Sequence, residues 1–490
     1  MEISILSKKI AEEFIETEAL ILPLLEDSPI DLYSSIDDKI GGIIKKVIES
    51  KEFQAKLNQT ILLHVTNIKP ERILLAGLGK SSDLTAERLR QIGGRSLTFL
   101  RDMGIKDIAI STILFDKIHL ISAKHIPIYY FLEGGLLSLY KFERYKKVEN
   151  FKDIKNITIL SDKEIDIQLL NITIDAVNFV KDLINSPSND LTPTTLSNIA
   201  KSLSNERIKV KILEKDDIER EGMGAYFSVL KGSEEPPKFI VLEYKKGKNA
   251  PIVLIGKSIT FDSGGISLKP AEGMEKMKYD MAGGAVVLGV IKAISDLDIS
   301  LNLVGILPAT ENLPSGKASK PGDIVRSING KTIEIVNTDA EGRLCLADAI
   351  GYALKYYKPA CIIDIATLTG ACSIALGNEA IAMMGNNKEL IDKMKKASEE
   401  TYERVWEMPL YDEYKDYLKS NTADIKNSGG RNGSLVTAGY FIKEFVNDTP
   451  WIHLDIASTA WNEKDKPYMQ KGATGIGLRL ILNFLKEIYK

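Results

Sequence analysis

From Pro193 onward, short apolar runs alternate with stretches of helical periodicity, and this alternation narrows the possible folds more than any other feature of the chain. Residues 251–256, 301–307, 332–336, 361–366 and 451–456 are brief, predominantly apolar runs of the kind that buried strands require. Residues 282–297, 343–357, 435–446 and 475–488 carry apolar side chains at helical intervals, and 389–402 forms an amphipathic, largely charged helix. Strand and helix in repeated succession imply crossover units around a mainly parallel sheet. Sheets of that kind receive ligands beyond the carboxyl ends of their strands. Chemistry in this chain is therefore sought at those ends.

The first third is less regular. Residues 60–65 and 72–77 read as buried strands, 84–103 as a helix and 107–114 as a further strand. Gly77-Leu-Gly79 follows a strand but lacks the third glycine and the acidic partner of a dinucleotide fingerprint, so it reads as a turn. Apolar residues at Leu169, Ile172, Ala176, Phe179, Val180 and Leu183 predict one long helix over 163–184. Asn185-Ser-Pro-Ser-Asn-Asp-Leu-Thr-Pro193 ends it, since proline lacks the N–H donor and restricts the residue before it. At 490 residues the chain exceeds what a single core usually serves. The expected fold class is α/β in two parts. A smaller N-terminal α/β domain over 1–160, with an assembly or regulatory role, leads through a linker helix and break over 161–192. A larger α/β/α domain with a mainly parallel central sheet follows over 193–490.

Charge and residue usage exclude several functions. A net charge of -3, with acids and bases nearly balanced, leaves no electrostatic footprint for nucleic acid. No apolar run is long enough to span a bilayer, and the charged residues within 1–18 break up any secretory signal. Cys345, Cys361 and Cys372 lie in apolar contexts, which suits buried thiols in a reducing cytoplasm rather than a disulfide framework. His64, His119, His125 and His453 are scattered, with no H-x-x-x-H or H-x-H spacing. A histidine-based zinc site and a Ser-His-Asp triad are therefore both disfavoured.

Carboxylates and lysines, by contrast, are concentrated. Glu334-Ile-Val-Asn-Thr-Asp-Ala-Glu-Gly-Arg-Leu344 ends an apolar run with two acids and an arginine. If strand alternation persists to its end, Asp339 and Glu341 leave on the same side, and Gly342 frees the backbone to turn into the helix that Arg343 opens. The loop after the 251–256 strand supplies Lys257, Asp262 and Lys269, with Asp280 shortly beyond. Two strand ends of one parallel sheet would gather these groups in a single cleft. Three Asp, one Glu, two Lys and one Arg in one place need compensating positive charge. Two divalent metals bridged by carboxylates would supply it. A structural network of salt bridges is the other way to satisfy the same groups.

The segments 257–270, 277–284, 320–325, 337–344 and 364–370 together resemble the leucine aminopeptidase family, the cytosol aminopeptidases. Asn337-Thr-Asp-Ala-Glu-Gly-Arg-Leu344 is that family's signature. The similarity runs through residues 165–490 and includes the proline-rich helix break and His453-Leu-Asp-Ile-Ala457. Over the first 150 residues it is one of length and pattern only.

The resemblance implies a two-metal exopeptidase holding zinc, manganese or both. Asp262 and Glu341 would bridge the two ions, Lys257 and Asp280 would serve one of them, and Asp339 the other. Lys257 must then be neutral, and a neighbouring dication would depress its pKa. Lys269 would stay an ammonium that polarises the scissile carbonyl. Arg343 would hold a bicarbonate that relays a proton from the metal-bridging water to the leaving amine. A free substrate amine can ligate a metal where an internal amide cannot, which selects chain ends. Met277 and Ala457 would line the first side-chain pocket, with Thr367 beside them. The backbone of Leu368 and Gly370 would hydrogen-bond the substrate chain. Ala460 stands where some relatives carry methionine, which makes this pocket roomier. The resemblance further implies peptide substrates, cytoplasmic location and a homo-hexamer built as a dimer of trimers. The competing readings are a carboxylate-rich phosphohydrolase, which would want a phosphate-cradling glycine loop at a helix start, and a nucleic-acid-binding protein, which the charge balance does not favour.

Overall fold

Most of the apolar runs enter two large sheets, one in each of the two units into which the chain divides. The computed structural model describes residues 3–27, 30–121, 123–147 and 152–488. One unit comprises Met1–Ile174 and Lys464–Lys471, the other Asp175–Glu463 and Gly472–Lys490.

In the first unit a six-stranded sheet runs in the order Ser4–Lys8, Asn156–Leu160, Asp107–Ser111, Ala19–Leu24, Arg72–Gly77, Thr60–His64. Every pair is parallel except the last. Ala19–Leu24 is buried along its whole length although it contains Pro23. Proline donates nothing to a ladder. Pro23 is tolerated because pairing to the Asp107 strand ends at Ile21, so only the Arg72 strand flanks it. Helices Ala86–Asp102 and Pro127–Ser138 meet through glycines, where a Cβ at Gly93 would lie 1.9 Å from the Phe131 carbonyl oxygen. The Gly77-Leu-Gly79 segment does not form the expected turn: Gly77 ends the Arg72–Gly77 strand, the Leu78 amide still donates to the Leu24 carbonyl, and Gly79 follows at φ +76°.

The second unit is built on a nine-stranded sheet. Its main path is Val405–Glu407, Ile381–Gly385, Trp451–Asp455, Cys361–Ala366, Ile252–Gly256, Asn302–Asn312, Lys238–Lys245, Ile208–Leu213, with Ser258–Asp262 also paired to Asn302–Asn312. The central strands are parallel, and reversals occur toward the flanks. Strand alternation splits the core between two faces. Ile362, Ala366 and Trp451 pack with helices Gly342–Tyr356 and Ser434–Val446. On the opposite face Ile365 lies against Gly283 of helix Ala282–Asp296 and against Gly477 before helix Leu478–Ile488. The long predicted helix is present as Ile167–Asn185.

Two expectations about strand ends are corrected here. Thr332–Glu334 is not a strand of the large sheet. It lies in a separate three-stranded sheet between Ile324–Arg326 and Ile425–Lys426. The strand also stops before the acids, because the Asn427 side-chain oxygen takes the N–H groups of Val336 and Asn337 that a ladder would have used. Asp339 and Glu341 consequently sit on a turn, and the alternation that would have placed them on one side is lost. Asp262 likewise does not lie in a loop. It ends the strand Ser258–Asp262, whose register with Asn302–Asn312 shifts between Ile259 and Phe261. Such irregularities re-aim the side chains beyond them.

Candidate active site

Lys257 follows the Ile252–Gly256 strand directly and is 2% exposed. Its amide donates to the Ile365 carbonyl and its carbonyl accepts from Gly284, which ties the strand end to the first turn of helix Ala282–Asp296. Its Nζ lies 2.7 Å from Asp280 Oδ2 and 2.8 Å from Glu341 Oε1, and donates to the Thr367 carbonyl at 3.0 Å. The side chain reaches them only because residue 342 is glycine. A Cβ there would stand 2.5 Å from Lys257 Cε and 2.8 Å from its Nζ. Gly342 is thus needed for space. Its φ is not positive, so the expected backbone freedom is not what it provides.

Asp262 Oδ1 accepts from the Gly264 amide at 2.9 Å, and its Oδ2 lies 2.8 Å from Lys269 Nζ. Lys269 also pairs with Asp339 Oδ1. The backbone between Asp262 and Lys269 doubles back through Gly264 (φ +87°) and Gly265 (φ +66°), which lets Lys269 return beside the strand that launched the loop. Asp280 lies on the 3-10 turn Met274–Met281 and accepts from Thr367 Oγ1 at 2.6 Å. Asp339 is set by an Asx turn in which its amide donates to Asn337 Oδ1 at 2.9 Å. Among the described residues, Asp262, Asp280 and Glu341 each bring one oxygen to a cluster in which all three lie within 4.8 Å of one another.

Lys257, Asp262, Lys269, Met277, Asp280, Asp339, Arg343, Thr367, Leu368, Gly370 and Ala457 all line one cavity of about 520 Å³. Glu341 lies behind its wall at 1% exposure and joins the group through Lys257. Every candidate ligand, catalytic and substrate-binding residue named from sequence is therefore brought to this one place, whereas Ala460, buried at 1% exposure, is not among the residues lining the cavity.

Four carboxylates face two ammonium groups here, and the imbalance appears in their titration. Burial and like-charged neighbours push Asp280 and Glu341 upward despite Lys257, and burial likewise raises Asp339 despite Lys269. Burial would lower Lys257 and Lys269, but the surrounding carboxylates outweigh it and hold both above their ordinary value. Burial is the first cause for all three acids, and their like-charged neighbours add to it. Oxygen donors with one amine suit divalent cations such as zinc or manganese. The donor set therefore fits the metals that the signature implied. Without a dication Lys257 stays protonated. Its use as a ligand requires the metal to displace that proton.

Arg343 completes the floor. Burial lowers its pKa to about 10, Nη1 donates to the Asn427 carbonyl at 2.9 Å, and Nε has no partner. Among the described residues no carboxylate forms a salt bridge with it. A buried guanidinium with open donors fits a small oxyanion.

Residues that sequence reasoning missed hold this arrangement in place. Asp455 accepts from the amides of Leu368 and Ala457, both at 3.1 Å, and from Thr369 Oγ1 at 2.7 Å, so one carboxylate fixes two segments of the cavity wall. The Leu368 amide is thereby occupied, which leaves its carbonyl for a ligand. Thr338 Oγ1 donates to the Gly264 carbonyl and accepts from the Ser267 amide, linking the lysine loop to the acidic turn. Asn427 ends the Thr332 strand and receives Arg343. Asn312 reaches both Asp262 and Glu341. Asn312 ends the strand Asn302–Asn312, which runs five residues past the apolar run at 301–307, so its strand-end position was not visible in the sequence.

A cluster of carboxylates and lysines beside an α/β sheet, three of whose oxygens could hold a metal ion, fits a hydrolase of the metal-dependent class. Comparison with known proteins makes the class specific. Residues 178–482 match the cytosol aminopeptidase family, catalytic domain, and residues 22–149 match its N-terminal domain. The chain belongs to the cytosol aminopeptidase family. It is 47% identical over 470 residues to a probable cytosol aminopeptidase of Geotalea uraniireducens, covering 93% of this chain and 94% of that one. A probable cytosol aminopeptidase of Pseudomonas aeruginosa is 41% identical over 98% of this chain and 99% of its own length. A variant of tomato leucine aminopeptidase superposes with a TM-score of 0.89 at 31% identity, over 99% of this chain and 97% of its own. The bottromycin maturation enzyme BotP, solved in complex with Mn, superposes at 0.87 with 27% identity, over 97% of this chain and all of its own. Family membership supports a metal-dependent aminopeptidase, a hydrolase of peptide bonds.

Proposed function

We propose that this cavity removes N-terminal, apolar, leucine-like residues from peptides. The observation that carries the reading is the set of four carboxylates and two lysines gathered at one cavity, with Glu341 behind its wall and joined to the others through Lys257. Asp262 and Glu341 would hold both ions, Lys257 and Asp280 one of them, and Asp339 the other, whether zinc or manganese fills them. When bound, the ions supply Lewis acidity, an activated water and a ligand position for the substrate's free amine. Lys269, an ammonium at 21% side-chain exposure, stands between the buried acids and the open cavity. There it can polarise the carbonyl of a bound peptide. Arg343 would hold bicarbonate, whose chemistry is proton relay to the leaving amine. Met277 and Ala457 would receive the first side chain, with Thr367 beside them setting Asp280. The carbonyl of Leu368 and the backbone of Gly370 would orient the substrate chain.

The same reading places the enzyme in the cytoplasm as a hexamer of two trimers. No helix among the described residues is long and apolar enough to cross a membrane. The test compares leucine anilide with a phosphate ester, with and without chelator. Anilide cleavage lost on chelation and restored by zinc or manganese is expected. Anilide cleavage that survives full metal removal would overturn the mechanism.

A further inference from the structure

Three separate segments supply Asp262, Lys269, Asp339 and Glu341: the end of the Ser258–Asp262 strand, the loop through Gly264 and Gly265 to Lys269, and the turn from Thr338 to Glu341. All three converge on one uncharged side chain. Asn312 is the last residue of Asn302–Asn312 and pairs in register with Asp262. It is 4% exposed. Its Nδ2 donates to Asp262 Oδ1 at 2.8 Å and to the Thr338 carbonyl at 3.1 Å, and stands 3.4 Å from Glu341 Oε2. Its own carbonyl accepts from the Ser263 amide at 3.0 Å and from Ser263 Oγ at 2.7 Å. Its Oδ1 lies where a Cβ on Gly265 would approach to 2.8 Å, so the loop is seated directly on the amide.

The chemistry of these contacts admits one orientation. All three partners of Nδ2 are acceptors, so reversing the amide would set Oδ1 against two carboxylates and a carbonyl. The Thr338 carbonyl, an acceptor that never donates and does not titrate, locks the orientation. We infer that Asn312 is the positioning residue of the metal centre: its amide fixes which oxygens of Asp262 and Glu341 are turned away from the cluster and which remain to bind cations. Asp262 Oδ1 is held by Asn312 and Gly264, leaving Oδ2 on the Lys269 side. Glu341 Oε2 faces Asn312, leaving Oε1 on the Lys257 side. The two acids that must serve both ions are therefore those that one neutral donor orients. A lysine or arginine at this position would compete with the metals for charge, and an aspartate would add repulsion without donors. An amide donates without altering the net charge.

This inference rests on the two-metal reading, and the experiment separates their failures. Metal-free wild type, Asn312→Leu and Asn312→Ser are titrated with Mn2+ and Zn2+ in competition with a chromophoric chelator, and the thermal midpoint of each metal-free protein is recorded. Wild type that binds neither ion would overturn the two-metal reading itself. With wild type binding both, the variants are expected to bind ~10- to 100-fold more weakly, as loss of partners behind metal ligands generally does, with metal-free midpoints close to wild type. Asn312→Ser, which keeps a short donor, should lose less than Asn312→Leu. Folded variants with wild-type metal affinity would overturn the inference. So would failure of both variants to fold while metal-free wild type is stable, since that would assign Asn312 to the scaffold.

Discussion

The two lysine-centred halves of the cluster differ in how far water reaches them. Around Lys257, side-chain exposures are 3% for the lysine, 6% for Asp280 and 2% for Glu341. Around Lys269 they are 21% for the lysine and 34% for Asp339, with only Asp262 as deeply buried as the first group. The enclosed half is fixed by Thr367, by the room left at Gly342 and by the body of the sheet. The open half sits on a turn and a glycine loop. Low dielectric strengthens charge interactions and makes an unpaired charge costly, so the enclosed half should bind its cation more tightly and release it more slowly. Under the proposed function, the open half would be the side on which substrate and exchangeable ions arrive.

Three experiments can break or sharpen that contrast. The largest effect is expected from removing ligands. Glu341→Ala should lower kcat/KM by ~1000-fold or more, about 4 kcal/mol of transition-state stabilisation, and abolish both bound metals by elemental analysis. Asp339→Ala should retain close to one tightly bound equivalent. Loss of both ions from Asp339→Ala, to the same extent as from Glu341→Ala, would erase the distinction. A middle-sized effect is expected at Gly342, where a methyl group would collide with Lys257. Gly342→Ala should cost about 1–3 kcal/mol of stability, as overpacking does, and weaken the tighter metal first. Unchanged melting together with unchanged metal affinity would show that Lys257 is not confined as described.

The smallest effect concerns Asp348, a buried carboxylate satisfied without any cation. Its two oxygens accept from the amides of Tyr226 and Ile328, each at 2.8 Å, and burial pushes its pKa up to about 7. The folded value lies above the unfolded one of about 4. The folded protein then binds the extra proton, and this group's contribution to stability falls as pH rises from about 4 through 7 and is constant beyond. In thermal melts, Asp348→Asn should flatten the pH dependence in that window by roughly one proton's worth of slope. An unaltered slope would mean that backbone amides alone keep a buried acid charged, and that the cluster's raised acids owe more to mutual repulsion than to burial.

Much of this was legible in the sequence. The alternation after Pro193 announced the sheet, and Lys257 and Asp262 fall at strand ends of it, whereas Asp280, Asp339, Glu341 and Arg343 reach the same place from turns and a helix start outside that sheet. The details that escaped depend on partners distant in the chain. Asn427 stops the Thr332 strand from a position some ninety residues away, and no local pattern around 332–341 could disclose it. Gly342 looked like a hinge because a glycine after acids usually turns the chain. Its real constraint is the side chain of Lys257, brought there by another segment. Ala19–Leu24 was not singled out as a strand, and its Pro23 proves harmless because a missing donor matters only if a neighbour needs it. Asn312 stands in no motif, and Asp455, although within His453-Leu-Asp-Ile-Ala457, was not singled out there, since an isolated amide or acid reveals its role only through what it touches.

The short segment Lys464–Lys471 belongs with Met1–Ile174, although nearly three hundred residues of the other unit separate them. Tyr468 Oη donates to Glu87 at 2.9 Å, and a Cβ on Gly94 would lie 2.5 Å from the Pro467 carbonyl oxygen. A ribosome that has released the first 174 residues has therefore not yet released the material that completes their fold. The N-terminal unit must wait, with that surface uncovered, until almost the last residues emerge. A gene cut at the apparent boundary would encode a fragment missing its own final piece.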